Sequence, residues 1–216
     1  MYNIYFTFIL ITVTVGLISS CSKKDDTKAT AAAQTCTSGC TALAGSDTAA
    51  GSITVGSETL SGTYTSQCFV GSPVSILVDS GTASPDMKSF GYLLNVRGSD
   101  NVTEEFHAFT DATCTAKSYH INTYYDNVTV GSGAGGTHIV LIQSTSIRLL
   151  VSTTAAETWA EALFSLALTV GTEYKMPSTI LYYNMWNVSS TTFYKGNGST
   201  SAYPSAVDTA VSYTKL

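Results

Sequence analysis

The chain has 216 residues and a net charge of −5, from 10 Lys and Arg against 15 Asp and Glu. With no basic surplus to neutralise a run of phosphates, the charge argues against a nucleic-acid partner. Only 12% of residues are charged, while 44% are apolar and 11% aromatic, a balance that suits pleated sheets on which branched and aromatic side chains pack.

The chain opens with an uncharged apolar run from Ile4 to Ile18. That is short for a bilayer span and right for the core of a signal segment. The run ends at Leu17-Ile18-Ser19-Ser20-Cys21. This resembles the lipobox of bacterial lipoproteins: an aliphatic residue, two small residues, then the cysteine that becomes the new N-terminus and carries lipid. The leading Met1-Tyr2-Asn3 departs from the pattern, having no Lys or Arg. An uncleaved anchor is the alternative, and both readings place the remainder outside the cytoplasm. The residue after Cys21 is Ser22 and not Asp, which resembles an outer-membrane address.

From Ser22 to about Ser52 the chain is rich in Ser, Thr, Ala and Gly. Such a segment buries too little apolar surface to order itself and reads as a flexible spacer. Five cysteines make an odd set. Assigning Cys21 to lipid leaves Cys36, Cys40, Cys68 and Cys114, an even set that favours disulfides in an exported chain. Three pairings are open, and Cys36 with Cys40 and Cys68 with Cys114 is the favoured one. A zinc site is the competing reading. The spacing of Cys36 and Cys40 would tolerate it, but Cys68 and Cys114 are far apart and no nearby His completes the set.

From residue 53 onward, short alternating runs are separated by turn residues. Leu60, Gly62 and Tyr64 lead into Cys68, and Val74 to Val78 reads as a compact apolar strand. Phe90, Tyr92, Leu94 and Val96 share one face of the next. Runs follow at 102–109, 118–125, 128–130, 138–143 and 147–151, and later at 178–184, 191–194 and 207–213. Links this short imply antiparallel neighbours, and pairing the first strand with the last would remove exposed edges. One segment differs: Thr154-Ala155-Ala156-Glu157 is a capping-box pattern, so a short helix is expected at 154–165, across one end of the sheet structure.

Few motifs survive comparison with plainer explanations. Val78-Asp79-Ser80-Gly81-Thr82 looks like the loop of aspartic proteases, whose chemistry needs two carboxylates sharing a proton. It occurs once, so a strand ending in an Asp-Ser-Gly turn explains it better. Gly131-Ser132-Gly133-Ala134-Gly135-Gly136 fits G-x-G-x-x-G by letter, but a strand pattern follows it, so a hairpin loop is expected and no nucleotide cofactor. His107, His120 and His138 lie on separate expected strands, and no metal is assigned to them. No Ser sits in a G-x-S-x-G elbow, so the chain is not read as an enzyme. The tyrosines are the remaining candidates: Tyr92, Tyr119, Tyr124, Tyr125, Tyr182 and Tyr183 either pack the core or line a pocket.

Three patches carry a family likeness. Gly62-Thr63-Tyr64-Thr65-Ser66-Gln67-Cys68 resembles the G-x-W strand that leads to a cysteine in small bacterial lipocalin-like lipoproteins, with Tyr64 at the Trp position. Phe106-His107-Ala108-Phe109-Thr110-Asp111-Ala112-Thr113-Cys114 is similar to that family's F-x-D-x-x-C strand end, whose cysteine pairs with the first. The tail from Tyr203-Pro204 through Val207-Asp208 to Tyr213-Thr214-Lys215 resembles its closing strand. Residues 146–175 match poorly.

The expected architecture is therefore all-β: an antiparallel up-and-down lipocalin-like barrel of about eight to ten strands with one short helix. Residues 1–20 form a signal peptide, 21–52 the lipidated cysteine and spacer, and 53–216 the barrel domain. Two roles remain. One is a structural or interaction barrel on the envelope, joined to membrane lipid through Cys21. The other is a binder of a small apolar or aromatic ligand, with Tyr92, Tyr119, Tyr125 and Tyr182 as candidate contacts. Large residues at inward positions (Phe90, Tyr92, Leu94, Ile121 and Tyr125) favour the filled barrel.

Overall fold

The structure, a computed structural model, describes residues 47–216. Cys21, Cys36 and Cys40, with the stretches expected to form a signal segment and most of a spacer, lie outside the described residues. Among the described residues, twelve strands and two helices follow in chain order. A hairpin of β1 (Ser52–Val55) and β2 (Glu58–Ser61) comes first, then β3 (Thr63–Ser66), β4 (Phe69–Val70), helix α1 (Ser72–Asp79) and β5 (Ser89–Val96). Next are β6 (Val102–Phe109), β7 (Lys117–Ala134), β8 (Thr137–Val151) and helix α2 (Thr154–Phe164). The chain ends with β9 (Glu173–Pro177), β10 (Leu181–Val188), β11 (Thr192–Lys195) and β12 (Tyr213–Lys215).

Eight of these strands close an antiparallel barrel, and 49% of the described residues are strand. Around the wall the order is β3, β5, β6, β7, β8, β10, β11, β12, and each neighbour is the next barrel strand along the chain. Closure comes from β12 against β3, with Tyr213 opposite Ser66 and Lys215 opposite Tyr64. That is the first-with-last pairing the sequence suggested. β8 is long enough to serve two partners: residues 137–143 pair with β10 and residues 146–150 with β9. The register aligns Tyr92 with Phe106, Ile121 and Leu149 across four strands, so one parity faces the interior throughout. Phe90, Tyr92, Leu94, Ile121 and Tyr125 all belong to it and are buried.

Cys68 and Cys114 are disulfide-bonded. The bridge ties the break between β3 and β4 to the loop after β6.

Several expected elements differ. Val74–Val78 is helix and not strand. Pro73 near the helix start presets its backbone, and Val74 and Leu77 turn one face to the core. The β-branched run looked strand-like, yet its burial is spaced three apart. The runs at 118–125 and 128–130 belong to one strand, β7, interrupted by bulges, and those at 138–143 and 147–151 to β8. The strand expected at 178–184 sits later, at 181–188, and the one at 207–213 shrinks to 213–215. Gly131 to Gly136 is the end of a hairpin, as expected. Gly135 and Gly136, at φ 60° and 79°, form its two-residue turn.

Helix α2 falls where expected, with its cap one residue earlier. Thr153 Oγ1 accepts from the Ala156 N–H at 3.1 Å. Glu157 is freed to accept from the Val170 N–H, at 3.2 Å. Trp159 of this helix packs on Tyr119 of the interior with ring centroids 4.7 Å apart, so α2 covers one end of the barrel. Asp86 fixes that end: Ser84, Ser118 and Thr153 hydroxyls donate to it at 2.5, 2.7 and 2.6 Å.

Candidate functional site

Two polar clusters stand out, one inside the barrel and one on its wall. The interior cluster begins with Glu104. It sits on β6 between Val102 and Phe106 in the inward parity, where an apolar residue would ordinarily stand. Lys195 of β11 bonds its carboxylate, and the Tyr213 hydroxyl donates to the same oxygen at 3.2 Å. The Lys195 ammonium also lies 6.0 Å from the Tyr92 ring centre, a cation–π distance. Around this pair the barrel leaves a cavity of about 30 Å³, lined by Tyr92, Glu104, Thr123, Tyr125, Tyr182 and Lys195 among others. That volume holds roughly two water molecules, whereas pockets for drug-sized ligands run to about 300 Å³ and more.

The space is filled by rings. Phe69, Phe90, Tyr92 and Phe106 stack or meet edge-on at centroid separations of 4.9 to 6.2 Å. Trp186, Phe193 and Tyr213 continue the run at 5.4 and 5.3 Å. Burial, reinforced by the Glu104 charge, pushes the Tyr92, Tyr125, Tyr182 and Tyr213 phenols far above their usual range. They remain protonated donors at any physiological pH.

Of the tyrosines singled out by sequence, Tyr92, Tyr125 and Tyr182 line this cavity. Tyr119 is interior but lies toward the α2 end, its hydroxyl 4.0 Å from Met87 Sδ. Tyr124 faces outward, between the Arg97 and Arg148 guanidiniums at 5.1 and 4.8 Å. Tyr183 packs edge-on against Tyr203, away from the cavity. Sequence reasoning missed Glu104 and Lys195. Their signal was a charge of the wrong parity: Glu104 alternates with Val102 and Phe106, and Lys195 with Phe193. Asp79 ends helix α1 in an exposed position, not at the strand-to-turn junction on which the protease likeness rested.

The wall cluster lies on the outward parity of β5, β6 and β7. Thr63 Oγ1 donates to Asn95 Oδ1 at 2.7 Å, Asn95 Nδ2 donates to Glu105 Oε1 at 2.8 Å, and His107 Nε2 is 2.8 Å from Glu105 Oε2. His120 stands directly opposite His107 across the strand pair, ring centroids 5.3 Å apart. Among the described residues no group of three or more His, Cys, Asp or Glu side chains is placed to hold a metal.

Burial pulls the His120 imidazole down to about 4, helped by His107 and Lys117 and opposed by Glu105. In the unfolded chain it titrates near 6.5, so the unfolded state binds the extra proton first as pH falls. Its contribution to stability is therefore complete above about pH 6.5 and lost between about 6.5 and 4, a total of about 3 kcal/mol. Denaturation at pH 7.5 and at 4.5 should show most of that loss, and His120→Asn should flatten it. An equal slope in the variant would contradict the assignment.

No protein-family model matches the chain, and no curated protein matches it. The class is therefore defined by the structure alone: a closed eight-stranded antiparallel barrel.

Proposed function

We propose that this chain is a lipid-anchored envelope protein of lipocalin-like type, whose barrel is a filled scaffold for contacts with other envelope components. One observation carries the barrel part of this reading: the interior cavity is about 30 Å³, roughly a tenth of the smallest ordinary ligand pocket. The interior spends its volume on aromatic side chains, as a barrel of about eight strands can when its inward residues are large. The likeness of β3 and of the tail to a lipocalin-like pattern supports the family assignment, with the Cys68–Cys114 bridge in the position that likeness implies.

Anchoring rests on the Leu17-to-Cys21 pattern, and the outer-membrane address on Ser22. Lipidation predicts a mature chain without residues 1–20 that partitions into detergent. A Cys21→Ser variant should lose both properties. A variant that stays membrane-bound and mature-sized would contradict lipid anchoring.

A second reading has one observation in its favour. Tyr92, Tyr125 and Tyr182 do converge with Glu104 and Lys195 on a single cavity, so a small polar molecule would find matched donors and acceptors there.

A further inference from the structure

The sheet path ends at β9, whose one neighbour among the described strands is β8. One residue beyond β9, the Ser178 N–H donates to the Thr145 carbonyl at 3.1 Å. Backbone groups alternate sides along a strand. Met176 and Tyr174 therefore also bond toward β8, while the N–H and C=O groups of Glu173 and Lys175 point away from it. Glu173, Tyr174, Lys175 and Pro177 are all exposed. A sheet edge in this state is a template for one more strand.

The charges on this edge select the strand it would take. Lys175 stands opposite Arg148 of β8, an unfavourable like-charge pair. Arg148 pairs instead with Glu173, at 3.5 Å, and among the described residues Lys175 has no ion pair. Lys175 and Pro177, which lacks an N–H, blunt the edge against most strands. A second copy of β9 is different. Two such strands, antiparallel and related by a two-fold axis through Tyr174, set Glu173 of each opposite Lys175 of the other. Each of these pairs exchanges both of its N–H···O bonds. Tyr174 then meets its own copy in the close, non-hydrogen-bonded position, and a ring that is 37% exposed is covered. Moving the axis by one residue opposes Lys175 to Lys175 or Glu173 to Glu173, so the charges favour the register through Tyr174.

We propose that β9 is a self-recognition edge, at which a second copy of this chain adds in antiparallel register about Tyr174 and joins two barrels through one continuous sheet. Across the join the outward row reads Arg148, Lys175, then the partner's Glu173, so the cation left beside Arg148 gains an acid. The paired stretch from Glu173 to Lys175 is short, and the contact is smaller than the interfaces of stable dimers. Confinement to a membrane surface raises the effective concentration of copies. Occupancy in the envelope therefore rests on the lipid anchoring proposed above, whereas the pairing itself does not.

The test is disulfide trapping with Tyr174→Cys in the full chain, both purified at rising concentration and in its own envelope. Side chains in the non-hydrogen-bonded position stand close to disulfide distance. Mild oxidation should give a reducible species of twice the chain mass. Its yield should be about tenfold above that of Ile76→Cys, a similarly exposed control on α1 whose collisions are unoriented. Adding Lys175→Glu opposes like charges and should remove the product. Adding Glu173→Lys as well restores unlike pairs and should bring the product back. A yield from the concentrated purified chain no higher than the control would overturn the proposal, as would a yield unmoved by the single charge reversal. A cross-link within one chain, or to a different protein, would assign the edge to another occupant and equally overturn it. Trapping in the concentrated chain but not in the envelope would support the pairing and count against the anchor.

Discussion

Replacing Cys68 and Cys114 together with alanine is expected to lower the unfolding free energy by about 4 kcal/mol. The two cysteines are 46 residues apart, and cross-linking them removes the closure entropy of that loop from the unfolded chain. The bridge spans the one break in the barrel's first strand, between β3 and β4, and holds it to the loop after β6. Two neighbouring barrel strands, β5 and β6, lie inside the closed loop, so its loss should affect the whole cooperative unit. Urea denaturation of the variant, and of the unaltered protein with strong reductant, should give the same reduced stability. A loss below about 1 kcal/mol would show that the loop is already restricted in the unfolded chain.

Lys195→Met should cost roughly 3 kcal/mol, because it leaves the Glu104 carboxylate inside the barrel without its cation. The figure stands at the lower end of the usual range, since the two side chains keep 22% and 12% exposure. Adding Glu104→Gln should recover most of the loss: the amide oxygen still accepts from the Tyr213 hydroxyl, and no charge remains to be desolvated. Comparing the two single variants with the double measures the coupling directly. If Lys195→Met proves neutral, Glu104 is solvated, and the interior is wetter than a packed barrel allows.

Much of this barrel was legible in the alternation of its strands. Phe90, Tyr92 and Leu94 announced an inward face, and the short links between runs implied antiparallel neighbours. The tail likeness and the edge problem together implied that the chain closes on its own beginning. Three things were not legible, each for a physical reason. Val74 to Val78 is β-branched and apolar, and only the preceding Pro73 and the three-residue burial spacing mark it as helix. β9 is largely exposed, so Glu173 to Pro177 shows no alternation, and only its pairing to β8 makes it a strand. The tail narrows to three paired residues, because residues 203–212 run as loop before Tyr213 reaches β3.

The candidate site was half visible. Tyr92, Tyr125 and Tyr182 were found as aromatic residues on expected strands, but parity alone could not say that Tyr119 lies under α2 and Tyr124 outside. Glu104 and Lys195 were overlooked because a charge within a strand reads as solvent-facing. Only the register shows that they face each other across the interior. The pairing of His107 with His120 is likewise a matter of register, which places them opposite each other on β6 and β7.

The proposed scaffold role requires a filled barrel that carries no ligand. Native mass spectrometry of the delipidated protein, purified from its own envelope, tests it most directly. The expected result is a species at the mass of the disulfide-bonded chain alone. A small molecule retained at one per chain, and lost on Tyr92→Ala or Lys195→Met substitution, would contradict the claim and make the cavity a binding site.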